Sequence, residues 1–122
     1  WRHEPLSALM ELDFGRWDGL AWPQVPRDEI DAWCGAFLHQ RPGGGESLHA
    51  LFARVAAWQA PAAPVAIVAH AGWMLARRWL AGAQPLPVHA GQWPAAPRHG
   101  ECWMLPASVA LPPSAGTTGG LA

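Results

Sequence analysis

The 122-residue chain contains no lysine, no tyrosine and no asparagine. Without lysine it has neither a Schiff-base amine nor the phosphate-gripping lysine of a nucleotide P-loop. The three missing residue types share AT-rich codons, so a GC-rich bacterial coding sequence accounts for their joint absence. Long hydrophobic runs are missing as well. Hydrophobic residues make up 51% of the chain, yet no run approaches the ~20 apolar residues that cross a bilayer. The opening WRHEPLSALMEL shows no charged stretch followed by an apolar core and a small-residue cleavage site. The formal net charge is -1 and the charges are interspersed, which argues against a charge-driven nucleic-acid or membrane surface. The two cysteines, Cys34 and Cys102, form no CxxC, and the six histidines form no HExxH or HxH. No metal centre is expected, and the thiols are read as reduced, in a cytoplasmic protein. No GxSxG elbow is present.

Alanine, glycine, proline, arginine and tryptophan are abundant instead. The nine tryptophans are scattered along the chain, which assigns them to core and pocket walls more readily than to one stacking surface. Residues 1–26 are irregular and rich in turn formers. From Asp28, the spacing of Ile30, Trp33, Cys34, Phe37 and Leu38 predicts an amphipathic helix. QRPGGGES breaks it, and a second helix follows Ser47, a plausible N-cap, with Leu48, Leu51, Phe52 and Val55 as its buried stripe. VAIVA (65–69) is a short continuous apolar run of the kind expected for a strand buried on both faces. HAG ends that run, and a third helix with Leu75, Ala76, Trp79 and Leu80 begins at once. ECWML (101–105) reads as a second, weaker strand, and residues 107–122 as a disordered tail.

Two positions stand out chemically. A parallel strand over 65–69 would deliver His70 at its carboxyl end, where open α/β sheets place ligands. Gly72 would let the backbone turn, and the next helix would offer its N-terminal N–H groups to an anion. Glu11 lies between Met10 and Leu12, and a carboxylate in apolar surroundings tends towards a raised pKa, suited to a general acid. Glu46 precedes a helix start, where the dipole favours it for structural reasons. RPGGGESL lacks both a GK[ST] ending and a preceding strand, so it is no nucleotide loop.

ELDFGRWDG, DAWC, PGGGES, RV and VAHAG, in that order, resemble the histidine phosphatase (phosphoglycerate mutase-like) superfamily over roughly residues 6–105. The pair ELDFGRWDG and DAWC…PGGGES is most similar to its α-ribazole phosphatase branch, from cobalamin biosynthesis. The resemblance implies an α/β fold, a three-layer α/β/α sandwich with a mainly parallel sheet, occupying residues 1–106. It implies a phosphomonoester hydrolase working through a phosphohistidine, with no cofactor or metal and a small phosphorylated substrate as its partner. A broad-specificity phosphatase, a mutase-type branch and a non-catalytic remnant that binds an anion or a partner protein are the alternatives. Carried over position by position, Glu11 matches the proton donor and His70 the second active-site histidine. Glu46 and Ser47 match a loop bordering the site, and with Gly72 of the turn after His70 they are the expected substrate-binding residues.

The family's nucleophilic histidine and a further phosphate-binding arginine precede the segment matching Glu11. Only ten residues precede Glu11 here, so the chain is expected to be incomplete at its N-terminus and, alone, inactive. Arg98-His99-Gly100-Glu101 spells the family's nucleophile motif. It follows QWPAAP instead of an apolar strand, so it is read as a coincidence.

Overall fold

The computed structural model describes residues 2–113. Its core is built on two helices, α2 (Leu48–Ala57) and α3 (Ala71–Ala81), with a shorter α1 (Arg27–Gly35) beside them. Ser47 caps α2 as its sequence suggests: its Oγ accepts the Ala50 N–H at 3.1 Å. Leu48, Leu51, Phe52 and Val55, at i, i+3, i+4 and i+7, are all buried. They meet Trp73, Ala76 and Leu80 of α3, together with Leu12 and Phe37. Full burial of a side chain of this kind is worth about 1.5–3 kcal/mol. α1 carries Asp28 and Glu29 in its first turn, where they suit the helix dipole. The expected helix from Asp28 is therefore present, but it ends at Gly35, and Phe37 reaches the core from the turn beyond. Trp93 stacks on Trp79 with ring centroids 6.0 Å apart and meets Phe37 and Phe52 edge to face, closing the core's far side.

The expected α/β/α sandwich is not found: among the described residues there is no strand and no sheet. Residues 65–69 and 101–105 run as irregular chain. A strand exists only through ladder bonds to a neighbour, and no backbone group of residues 65–69 has a backbone partner among the described residues. Instead of being covered on both faces, Val65 and Ile67 are exposed and Val68 is 95% exposed. Met104 is 98% exposed. An apolar run records a preference for burial without recording what is available to bury it. No helix among the described residues is long and apolar enough to cross a membrane.

Arg77 ties the C-terminal end of α2 to the last described segment. It is 1% exposed. Nη1 donates to the carbonyls of Val55 and Trp58 at 2.8 and 2.9 Å, and Nη2 to Ala107 at 2.6 Å and Pro106 at 3.4 Å. Its guanidinium lies 5.3 Å from the Trp58 ring centroid. Among the described residues it bridges to no carboxylate. The carbonyls ending α2, the negative end of that helix's dipole, compensate the charge in part. Burial still lowers its pKa. Ala107 also accepts from the Ala60 N–H at 3.1 Å, and Val109 packs on the core. The expected tail (107–122) thus begins in contact with the fold, and its residues 114–122 lie outside the described residues.

Candidate active site

Glu11 and α3 meet. The Gly72 N–H donates to Glu11 Oε2 at 2.8 Å across 61 residues of chain, and the Leu12 N–H donates to Oε1 at 2.9 Å. Glu11 therefore supplies the N-terminal cap that α3 lacks locally, since His70, the N-cap residue, makes no side-chain cap bond. A carboxylate suits this place because unpaired N–H groups and the helix dipole both favour an anion. The contact depends on the absence of a side chain at position 72. A Cβ there would overlap Glu11 Oε1 and lie 3.0 Å from its carboxyl carbon. His70 sits at the entrance to α3 in an extended conformation (φ -117°, ψ 163°) and is exposed. The anion position expected beside His70 is thus occupied by the protein's own carboxylate.

The segment leading into Glu11 is held from below by α2 and α3. Arg54 Nη1 donates to the carbonyls of Ala8 at 3.0 Å and Met10 at 2.8 Å, and the Trp73 indole donates to Ala8 at 2.8 Å. The other edge of the same guanidinium grips Glu46: Nε to Oε2 at 3.0 Å and Nη2 to Oε1 at 2.8 Å. This two-pronged pairing is the strong form of an ion pair, and both side chains are mostly buried. Glu46 consequently reaches the Glu11 segment through Arg54, while Ser47 is engaged as the cap of α2. In the sequence, Arg54 stands out only as part of the RV pair of the family pattern. The available signal was a single arginine beside the buried stripe of an apolar helix.

The glycines of PGGGES serve a close backbone approach. Gly15, Gly43 and Gly45 face one another, and a Cβ at 43 or 45 would strike the carbonyl oxygen of Phe14 or Asp13. Gly43 has φ +61°, a left-handed value that glycine accepts readily. The Glu46 N–H closes the junction on the Asp13 carbonyl at 2.7 Å. The ELDFG and PGGGES stretches thus form one interlocked loop pair, with Glu11 at one end and Glu46 at the other.

Arg98–Glu101 is a separate feature. It closes a tight turn, Glu101 N–H to Arg98 O at 3.0 Å, with Gly100 at φ +78°. Glu101 accepts the Trp103 indole N–H at 2.9 Å and the Arg98 N–H at 2.7 Å. The Trp103 bond, then the Arg98 bond, hold its carboxyl below the usual range. A shallow cleft here is lined by Arg98, His99, Gly100 and Glu101 alone. Neither Glu11 nor His70 borders it. Among the described residues, no group of three or more His, Cys, Asp or Glu side chains is placed to hold a metal ion.

The family model for the histidine phosphatase superfamily (branch 1) matches residues 2–96. The matched span includes Glu11, Glu46, Ser47, His70 and Gly72 and stops short of Arg98. No curated protein and no solved structure matches the chain.

Proposed function

The chain belongs to the histidine phosphatase superfamily, branch 1, whose members as a rule transfer or hydrolyse phosphoryl groups, and from that we propose a phosphomonoester hydrolase of the α-ribazole phosphatase type. The observation that carries this reading is the 2.8 Å bond from Gly72 N–H to Glu11, which unites the candidate proton donor with the turn bearing His70. In the proposed reaction an imidazole attacks phosphorus in line and the bond to the leaving oxygen breaks. Glu11 delivers a proton to that oxygen, and His70 donates a hydrogen bond to the transferring oxygens. Water then hydrolyses the phosphohistidine. The ELDFGRWDG and DAWC…PGGGES stretches support the α-ribazole branch.

The attacking imidazole is a third role, filled by neither Glu11 nor His70. The RHG sequence at Arg98–Gly100 lies in a turn with its own cleft, which neither Glu11 nor His70 borders. The 122-residue chain alone is therefore expected to turn over phosphomonoesters negligibly. A non-catalytic anion-binding role is the second reading, favoured by the exposed His70 imidazole at the entrance to α3. The test incubates the chain with α-ribazole 5′-phosphate and with p-nitrophenyl phosphate, and traps acid-labile phosphohistidine. Saturable binding of α-ribazole 5′-phosphate, lost in His70→Ala, is the expected result. Robust turnover abolished by His99→Ala would assign the nucleophile to that turn, and no binding of either ester would overturn the proposal.

A further inference from the structure

In the stretch that follows the ELDFG loop, a cleft of about 220 Å³ is lined by Phe14, Trp17, Asp18, Leu20, Trp22 and Val25, with Gly19 at its turn. The structure assigns this cleft, we infer, as a binding site for a small organic cation of the quaternary or alkylated ammonium class. Two observations carry the inference. The aromatic walls meet as a corner and not as a stack: Phe14 and Trp22 stand at 87° with centroids 6.4 Å apart, and Trp17 and Trp22 at 71° and 6.4 Å. Rings at near right angles around a small space are the arrangement that surrounds an alkylammonium head with aromatic faces.

The charge at the cleft has one sign. Asp18 is its single ionisable lining residue, and among the described residues it is in no salt bridge and accepts no side-chain hydrogen bond. The arginines nearest in sequence are committed elsewhere, Arg16 to Glu29 at 3.1 Å and Arg27 to Asp31 at 3.4 Å. Trp17 is buried and lends its ring to the wall. Trp22, in contrast, is 61% exposed, so a wall of the cleft is open to an entering molecule. An apolar ligand would use the rings and leave Asp18 without a partner, and an anion would face Asp18 directly. An alkylammonium satisfies the rings and the carboxylate together. The inference is independent of the phosphatase reading.

Choline is the probe, with 3,3-dimethyl-1-butanol as its uncharged isostere, followed through the indole N–H resonances of the full 122-residue chain. Choline is expected to shift the Trp17 and Trp22 resonances saturably while leaving that of Trp103 in place. The neutral isostere is expected to bind at least about fivefold more weakly, the ratio expected of a cation–π contact near 1 kcal/mol. Asp18→Asn and Trp22→Ala change exposed side chains, and each is expected to weaken choline by a similar factor. Equal binding of the two isosteres, unchanged affinity in both variants, or no saturable shift would each overturn the assignment.

Discussion

Gly72 and Glu11 are joined by a hydrogen bond of 2.8 Å that only a glycine at position 72 permits. Replacing glycine by alanine near a helix start ordinarily stabilises by roughly 0.5–1 kcal/mol. Here the new methyl takes the place of Glu11 Oε1. The carboxylate sits on a flexible side chain and swings away, forfeiting a charge-assisted bond worth roughly 1.5–3 kcal/mol. Gly72→Ala is therefore expected to destabilise by about 1 kcal/mol net, and in a Glu11→Ala background to stabilise instead. Urea denaturation of the four proteins checks the reversal of sign. Stabilisation in both backgrounds would show that the contact does not hold.

The loop glycines should behave differently, because what they touch cannot swing. A Cβ at Gly45 would meet the Asp13 carbonyl, and one at Gly43 the Phe14 carbonyl in a left-handed conformation. Relief requires the two loops to separate, so Gly43→Ala and Gly45→Ala are each expected to cost more than about 3 kcal/mol. Gly19 is the control. It has φ +82° but nothing within 4 Å of an added Cβ, leaving only the left-handed penalty of roughly 1–2 kcal/mol. Thermal unfolding of the three variants ranks them.

What the sequence made legible was local. The Leu48–Val55 stripe, the Ser47 cap and the start of α3 after His70 follow from spacing and cap chemistry within a few residues, and the structure bears them out. The sheet was not legible, because a strand depends on partners distant in sequence, and VAIVA carries the same apolar signal with or without them. The glycines of PGGGES were visible as a breaker, but their reason, a backbone 30 residues earlier, was not. Neither was Arg54, since the four acceptors that define its task lie on Ala8, Met10 and Glu46.

Arg54 is expected to be the residue on which the Glu11 segment most depends. Lysine keeps the charge but cannot grip Glu46 with two nitrogens while reaching two carbonyls. Arg54→Lys is expected to cost about 1–2 kcal/mol and Arg54→Ala about 2–4 kcal/mol, the latter leaving a mostly buried Glu46 unpaired. A double-mutant cycle with Glu46→Gln separates the pair from the carbonyl contacts. Coupling near zero would mean that Arg54 acts only through Ala8 and Met10.

Glu101 offers a pH test. Its carboxyl is held below the usual range, first by the Trp103 indole and then by the Arg98 N–H. A folded-state pKa below the unfolded one adds stability that is full above the ordinary carboxylate value. That contribution fades as the pH falls through the folded value. Trp103→Phe keeps an aromatic ring near Arg78 and removes the donor. It is expected to raise the Glu101 midpoint towards the ordinary value, read from its carboxyl carbon shift in an acid titration. An unmoved midpoint would remove Trp103 as the cause.

The proposed function turns on what an incoming phosphate meets at α3. The Gly72 N–H that would greet it already holds the Glu11 carboxylate, and that carboxylate repels a second anion at the same helix end. At a separation of a few ångströms in a partly solvated site, such repulsion is worth roughly 1–3 kcal/mol. Glu11→Gln keeps the size and an acceptor for Gly72 while removing the charge. Inorganic phosphate is therefore expected to bind Glu11→Gln roughly tenfold more tightly than the parent chain, followed by the Gly72 amide resonance. His70→Ala is expected to weaken it, because the imidazole at the helix entrance no longer donates to the anion. Tighter binding in Glu11→Gln with no change in His70→Ala would confine the anion site to the helix end and take His70 out of it. Weaker binding in Glu11→Gln would mean that the carboxylate shapes the site more than it occupies it.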